Sequence, residues 1–215
     1  MTKRILFQGD SITDCRRDRN DLQFGMGSGY ARLVQAYLGA ECAGEYEFIN
    51  RGVSGDRIVD LYARIKADFI NLKPDYASIY IGVNDVWHEI GNQNGVDTAK
   101  FETLYTMMID EIQTACPDTK LMIIAPYVLE GEATCNTELI PDRWERFKKD
   151  VAEKAAVTKK IAEKYGLPFI ELQPVFDAAC QRAPASYWAY DGVHPTACGH
   201  ELIKNLWINT FKTLV

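Results

Sequence analysis

The sequence predicts an α/β fold in which a parallel β-sheet is covered by helices on both faces. Three observations carry that expectation. Short apolar runs alternate with amphipathic stretches along the chain, the pattern of repeated βαβ units. A run such as Ile5-Leu6-Phe7 is apolar throughout, as expected of a strand buried on both faces. Polar, glycine-rich turns follow the first three runs, where a parallel sheet would present them along one edge.

In order, the first strand ends at Gly9, followed by Asp10-Ser11 in a turn. Ser28 to Leu38 carries Tyr30, Leu33, Val34 and Tyr37 at helical spacing, and Tyr46 to Asn50 is a second strand. Arg57 to Phe69 places Ile58, Leu61, Ile65 and Phe69 on one helical face, and Lys73-Pro74 stops it. Tyr76 to Ile81 is a third strand, closed by Gly82. Lys100 to Ala115 repeats Phe101, Leu104, Met108 and Ile112 as an amphipathic helix, and Leu121 to Ala125 is a fourth strand ended by Pro126. Tyr127 to Asp142 has no period and reads as a long connection, of the kind that is either disordered or a functional flap. Arg143 to Tyr165 is a long helix with Trp144, Phe147, Val151 and Ile161 inward, its charges forming a solvated face. Gly166 stops it, Leu167 to Leu172 is the fifth strand, and Thr196 to Phe211 is a closing helix. No repeat or linker interrupts this order, so one domain over residues 1–215 is expected.

Composition narrows the function classes. A net charge of −6 does not suggest a nucleic-acid partner. The longest apolar stretch, Leu121 to Leu129, contains Pro126 and falls short of the ~20 residues a membrane span needs. No basic-plus-apolar leader precedes the first strand, and the six cysteines have no paired spacing. A cytoplasmic location with reduced thiols is therefore expected. No His-Glu-x-x-His or Cys-x-x-Cys spacing indicates a metal, and no cofactor is expected.

The chemistry concentrates in four turns: Gly9-Asp10-Ser11, Asn50 to Asp56, Gly82-Val83-Asn84-Asp85, and Asp191-Gly192-Val193-His194-Pro195. Taken singly, each is ordinary turn chemistry, because Gly relaxes the backbone and Asp, Asn and Ser bond nearby amides. Taken together, they supply every part of an acyl-transfer site. Ser11 is the candidate nucleophile and needs a base. His194 is the best placed of the three histidines, and Asp191 can accept its other ring N–H. The backbone N–H groups of Ser11 and Gly55 and the side-chain amide of Asn84 are candidate oxyanion donors. Asp10 and Asp85 read as braces for their turns, and His88 and His200 as surface or helix residues. Trp87, Tyr187, Trp188 and Tyr190 flank the site in sequence and could either stack on sugar rings or belong to the core. Arg16, Arg17 and Arg57 are solvent-facing or paired, unless one of them binds a charged group of the substrate.

These four turns, in this order, resemble the conserved blocks of the SGNH (GDSL-type) hydrolases, and the resemblance spans nearly the whole chain. It implies a flavodoxin-like three-layer α/β/α sandwich with a five-stranded parallel sheet and metal-free esterase or lipase chemistry. On the matching positions it implies Ser11, Asp191 and His194 as a catalytic triad, with Gly55 and Asn84 in the oxyanion hole. The fuller strings Gly-Asp-Ser-Ile-Thr-Asp-Cys, Ile81 to Trp87 and Asp-Gly-Val-His-Pro are similar to carbohydrate esterases of the acetylxylan-esterase type. An acetylated saccharide is therefore the expected substrate, and self-association is expected only by analogy with such esterases. Residues 126–142 match no block. A lysophospholipase or thioesterase, with an apolar acyl channel supplied by that connection, is the alternative within hydrolases. A non-enzymatic flavodoxin-like receiver using Asp10 is disfavoured, because Gln173-Pro174 stands where such a module needs lysine.

Overall fold

A computed structural model describes residues 2–21 and 25–215. Five parallel strands are ordered β2-β1-β3-β4-β5: β1 Lys3–Gly9, β2 Tyr46–Asn50, β3 Tyr76–Tyr80, β4 Lys120–Ile124 and β5 Phe169–Ile170. This is the doubly wound, flavodoxin-like order, which changes winding direction beside β1 and opens a crevice at the carboxyl ends of β1 and β3.

The apolar runs divide by alternation. Ile5, Phe7, Tyr80, Met122 and Ile124 enter one buried cluster with Tyr30 and Val34 of helix α2 (Tyr30–Glu41) and Trp207 and Phe211 of helix α10 (Ala197–Phe211). Leu6, Ile79, Leu121 and Ile123 enter the other, beneath Phe101, Tyr105 and Met108 of helix α6 (Thr98–Ala115). Val157, Ile161 and Ala162 of helix α7 (Arg143–Tyr165) join that second cluster. Ile79 is fully buried in the central strand. Ile79→Ala is expected to lower the free energy of unfolding by about 2–5 kcal/mol, measured by urea denaturation. A loss below about 1 kcal/mol would show that this layer is loosely packed.

The structure corrects the expected elements in four places. The helix expected over Arg57 to Phe69 is broken into α3 (Ile58–Ala63), α4 (Ile65–Asp68) and a 3₁₀ turn (Ile70–Leu72). The break falls at Arg64, whose side chain bonds the carbonyls of Gly9 and Arg51 instead of facing water. The turn at Val83 is instead the start of helix α5 (Val83–Asn92), which buries Val83, Val86 and Ile90. The fifth strand pairs over Phe169–Ile170 only, at the sheet edge and after a proline without an N–H. Helices α8 (Gln173–Cys180) and α9 (Ala185–Trp188) were not expected, although Pro174 in the first turn of α8 is a helix-start signal.

The 127–142 connection contains no helix or strand, as expected, but its first part is neither disordered nor a flap. Tyr127, Val128, Leu129 and Thr134 are buried. Leu129 N–H donates to Gly192 C=O at 2.8 Å and Ala133 N–H to Asp191 C=O at 2.9 Å. Among the described residues no helix is long and apolar enough to cross a membrane.

Candidate active site

Three of the four polar turns meet at the carboxyl edge of β1 and β3, and the fourth comes over them from the start of α10. Gly9 lets the first turn pass close to the sheet, because a Cβ there would lie 2.3 Å from the Tyr80 carbonyl and 2.5 Å from Thr13 Oγ1. Asp10 caps the one-turn helix α1 (Ser11–Asp14), its carboxylate accepting the Ile12 N–H at 3.0 Å. Asp10 is fully buried, and that burial lifts its carboxyl to about 7 against the hydrogen bond from Ile12. Ser11 thus opens the helix with its hydroxyl free to face the crevice.

Ser11 Oγ lies 2.9 Å from His194 Nε2, and His194 Nδ1 lies 2.7 Å from Asp191 Oδ2. The other oxygen of Asp191 accepts the Val193 N–H at 2.9 Å and the His194 N–H at 2.8 Å, which fixes the loop that carries the ring. Burial raises the Asp191 carboxyl, but the bonds from the His194 ring and from the two backbone N–H groups outweigh it and hold the group below the usual carboxylate range. Burial lowers the His194 ring, but the bond to Asp191, that carboxylate's charge and the charge of Asp10 leave its pKa above the ordinary 6.5.

The second turn is anchored from several sides. Asn50 Nδ2 donates to the Thr13 carbonyl at 2.6 Å and the Met26 carbonyl at 3.1 Å, and Ser54 N–H donates to Asp14 Oδ2 at 3.2 Å. Gly55 has φ +88°, a left-handed conformation that favours glycine, with open space where a Cβ would project. Among the described residues neither the Ser11 nor the Gly55 N–H donates a hydrogen bond, so both remain available to a ligand. Asn84, in the first turn of α5, donates one amide hydrogen to the Asp56 carbonyl at 3.0 Å and keeps the second. Asp85 accepts the Ile58 N–H through both oxygens at 3.1 and 3.2 Å, tying the Asn84 helix to the Gly55 loop as the expected brace.

Sequence reasoning missed Arg64. Its guanidinium donates to Asp56 at 2.6 Å, Gln8 and the Arg51 carbonyl at 2.8 Å, and the Gly9 carbonyl at 3.1 Å. One side chain therefore joins the end of β1 to both ends of the Gly55 turn. An arginine on the inward face between Leu61 and Ile65, bracketed by Asp56 and Asp68, was the available signal.

The four aromatics part company. Trp87 lies with its ring centroid 5.7 Å from that of His194 and packs edge-on against Phe147. Tyr190 stacks on the imidazole, 5.6 Å between ring centroids and inclined by only 13°, and is 60% exposed. Trp188 is 8% exposed and donates to the Ala183 carbonyl, so its ring belongs to the core. Tyr187 is exposed but packs edge-on against Trp188, and among the described residues its ring makes no contact with His194. His200, expected at the surface or in a helix, is in α10 but buried: its Nδ1 accepts the Tyr30 N–H at 3.1 Å, and burial pushes its pKa down to about 4.

A cavity of about 450 Å³ reaches Ser11 and His194 and is bordered by Cys15, Arg16, Ser54 and Tyr190. A second cavity, about 630 Å³ and more apolar, lies between α7 and α8 and contains none of Ser11, Asp191 or His194. Among the described residues no group of three or more His, Cys, Asp or Glu is arranged to hold a metal ion.

Several known proteins are similar to this chain over most of its length. Residues 7–202 match the model of the GDSL-like lipase/acylhydrolase family. An acetylxylan esterase of Geobacillus stearothermophilus is 29% identical over 214 residues, covering 96% of this chain and 92% of that protein. Its crystal structure superposes with a TM-score of 0.83 over 97% of this chain and 93% of that one, at 28% identity. A structure described as a GDSL-like lipase from Parabacteroides merdae superposes with a TM-score of 0.88 at 32% identity, covering 99% and 97% of the two chains.

Proposed function

The chain belongs to the GDSL-like lipase/acylhydrolase family and is a carboxylic ester hydrolase; from that premise we propose that it is a serine esterase removing acetyl groups from saccharides. The observation that carries the mechanism is the hydrogen-bonded series Ser11 Oγ, His194 Nε2, His194 Nδ1, Asp191 Oδ2 at 2.9 and 2.7 Å. In the neutral imidazole, Nδ1–H donates to Asp191 and the Nε2 lone pair accepts the Ser11 proton. Ser11 Oγ attacks the acetyl carbonyl carbon while His194 takes that proton. The oxyanion forms against the Ser11 and Gly55 N–H groups and the free amide hydrogen of Asn84. Collapse breaks the bond to the sugar oxygen, which leaves with the proton from the imidazolium. Water, deprotonated by the same nitrogen, then releases acetate and restores Ser11.

A saccharide substrate is supported by the acetylxylan esterase relatives and by Tyr190, an exposed ring beside the imidazole. A short acyl group is supported by the separation of the larger apolar cavity from the nucleophile. The test is a panel of acetylated oligosaccharides against esters of increasing acyl length. Acetyl sugars should give the highest kcat/KM, and a preference for long chains would replace this reading with a lipolytic one.

The pH profile follows from the ring's surroundings. The base must be unprotonated, so kcat/KM should rise with pH and level off above a midpoint higher than the ordinary 6.5 of histidine. A midpoint below that value, or a flat profile from acid to neutral pH, would contradict the role of His194.

A further inference from the structure

One charged side chain of the reaction cavity has no role in this mechanism. Arg16 is exposed and lies in the wall of the cavity that contains Ser11 and His194. The neighbouring arginines are engaged: Arg17 donates to the Gly52 carbonyl at 2.7 Å and Arg57 to Asp60 at 2.8 Å. Arg16 has no hydrogen bond or ion pair with any described residue. Among the described residues no aspartate or glutamate lines this cavity, and the nearby Asp191 is occupied by His194 and two backbone N–H groups. In a chain of net charge −6, an anion entering here meets an uncompensated guanidinium and no competing carboxylate on the cavity wall. Across the cavity, burial and Asp191 raise the Tyr190 phenol while Arg16 lowers it, so the two side chains share one electrostatic neighbourhood.

The location also says which half of the ester is concerned. Gly55 and Asn84 do not line this cavity, whereas Tyr190, His194, Pro195 and Ala197 do. Ser54 borders it from the second turn, and the wall formed by Tyr190, His194, Pro195 and Ala197 is the imidazole side of Ser11. The imidazolium delivers its proton to the leaving oxygen, so the alcohol half of the substrate occupies that side. The small acetyl group is left to the oxyanion donors.

We propose that Arg16 is a specificity-determining residue that binds a carboxylate on the saccharide, so that the favoured substrate carries a uronic acid close to the acetylated hydroxyl. This rests on the acetyl-saccharide reading above. A planar guanidinium can meet a carboxylate through two parallel N–H···O bonds, which a lysine cannot reproduce.

The test uses acetylated oligosaccharides that differ in one substituent: a neutral sugar, a uronic acid, its methyl ester, or a sugar phosphate. The purified enzyme should favour the uronic acid over its methyl ester in kcat/KM by roughly fivefold, mainly through KM, with the ratio shrinking as salt is added. Arg16→Gln should bring the ratio close to one, and Arg16→Lys should recover part of it. An equal rate on acid and methyl ester, or an unchanged ratio in Arg16→Gln, overturns the role of Arg16 while leaving the esterase reading standing. A preference for the phosphate over the uronic acid overturns the carboxylate assignment. Turnover of 4-nitrophenyl acetate with no turnover of any acetylated saccharide would instead sink the substrate reading, and the role of Arg16 with it.

Discussion

Ser11→Ala is expected to lower kcat/KM for acetyl esters by roughly 10⁴- to 10⁶-fold, the size of effect seen when the nucleophile of a coupled triad is removed. The substitution deletes the one oxygen that lies 2.9 Å from the imidazole. The elements that place residue 11 do not use that oxygen. The Asp10 carboxylate holds the Ile12 N–H, and Asn50 holds the Thr13 carbonyl. The variant should therefore melt like the parent protein by circular dichroism while failing to turn over 4-nitrophenyl acetate. A fluorophosphonate probe should label the parent enzyme at Ser11 and leave the variant unlabelled. Substantial activity in a folded variant would place the nucleophile elsewhere.

The second large effect is expected from Asp191→Asn, at roughly 10⁴-fold in kcat. Asp191 does two things at once. Oδ1 accepts two backbone N–H groups and shapes the loop, and an asparagine oxygen can continue to do so. Oδ2 accepts from His194 Nδ1 at 2.7 Å, and there the asparagine presents an amide N–H. Facing a donor, Nδ1 becomes the acceptor and the ring proton moves to Nε2, where it points at Ser11. The imidazole can then no longer take the serine proton. KM should change far less than kcat, and the His194 midpoint should fall because the charge and bond that raise it are gone. A modest loss in kcat with a large rise in KM would mean that Asp191 serves the shape of the loop alone.

What could be read in advance follows from how local the physics is. Ile5-Leu6-Phe7 and Leu121 to Ile124 announce strands because a doubly buried run needs no partner to be recognised, and the structure adds only which residue faces which cluster. That the candidate residues would meet was legible for a related reason. Each polar turn sits where an apolar run stops, and parallel strands bring those ends to one edge. Arg64 was not legible, since its partners are carbonyls of residues 9 and 51 that approach it only in the folded chain. The start of α5 was hidden by Gly82, whose φ of +137° looks like a turn but ends in a helix cap. Trp188 and Tyr190, two positions apart, could not be separated from spacing alone. The first turns into the core and the second lies beside the imidazole.

The bonds from Leu129 and Ala133 to the backbone of Gly192 and Asp191 divide the 127–142 connection into two stretches that are anchored differently. Lengthening the first stretch would drag the carboxylate out of line with the imidazole. The second stretch, where Leu139 is 94% exposed, makes no hydrogen bond to Asp191 or Gly192 among the described residues, so a residue inserted there should leave the Asp191 backbone in place. The two ends of one connection thus differ in what they hold: the first is tied to the backbone of the residue whose carboxylate meets His194, and the second is tied to none of that loop.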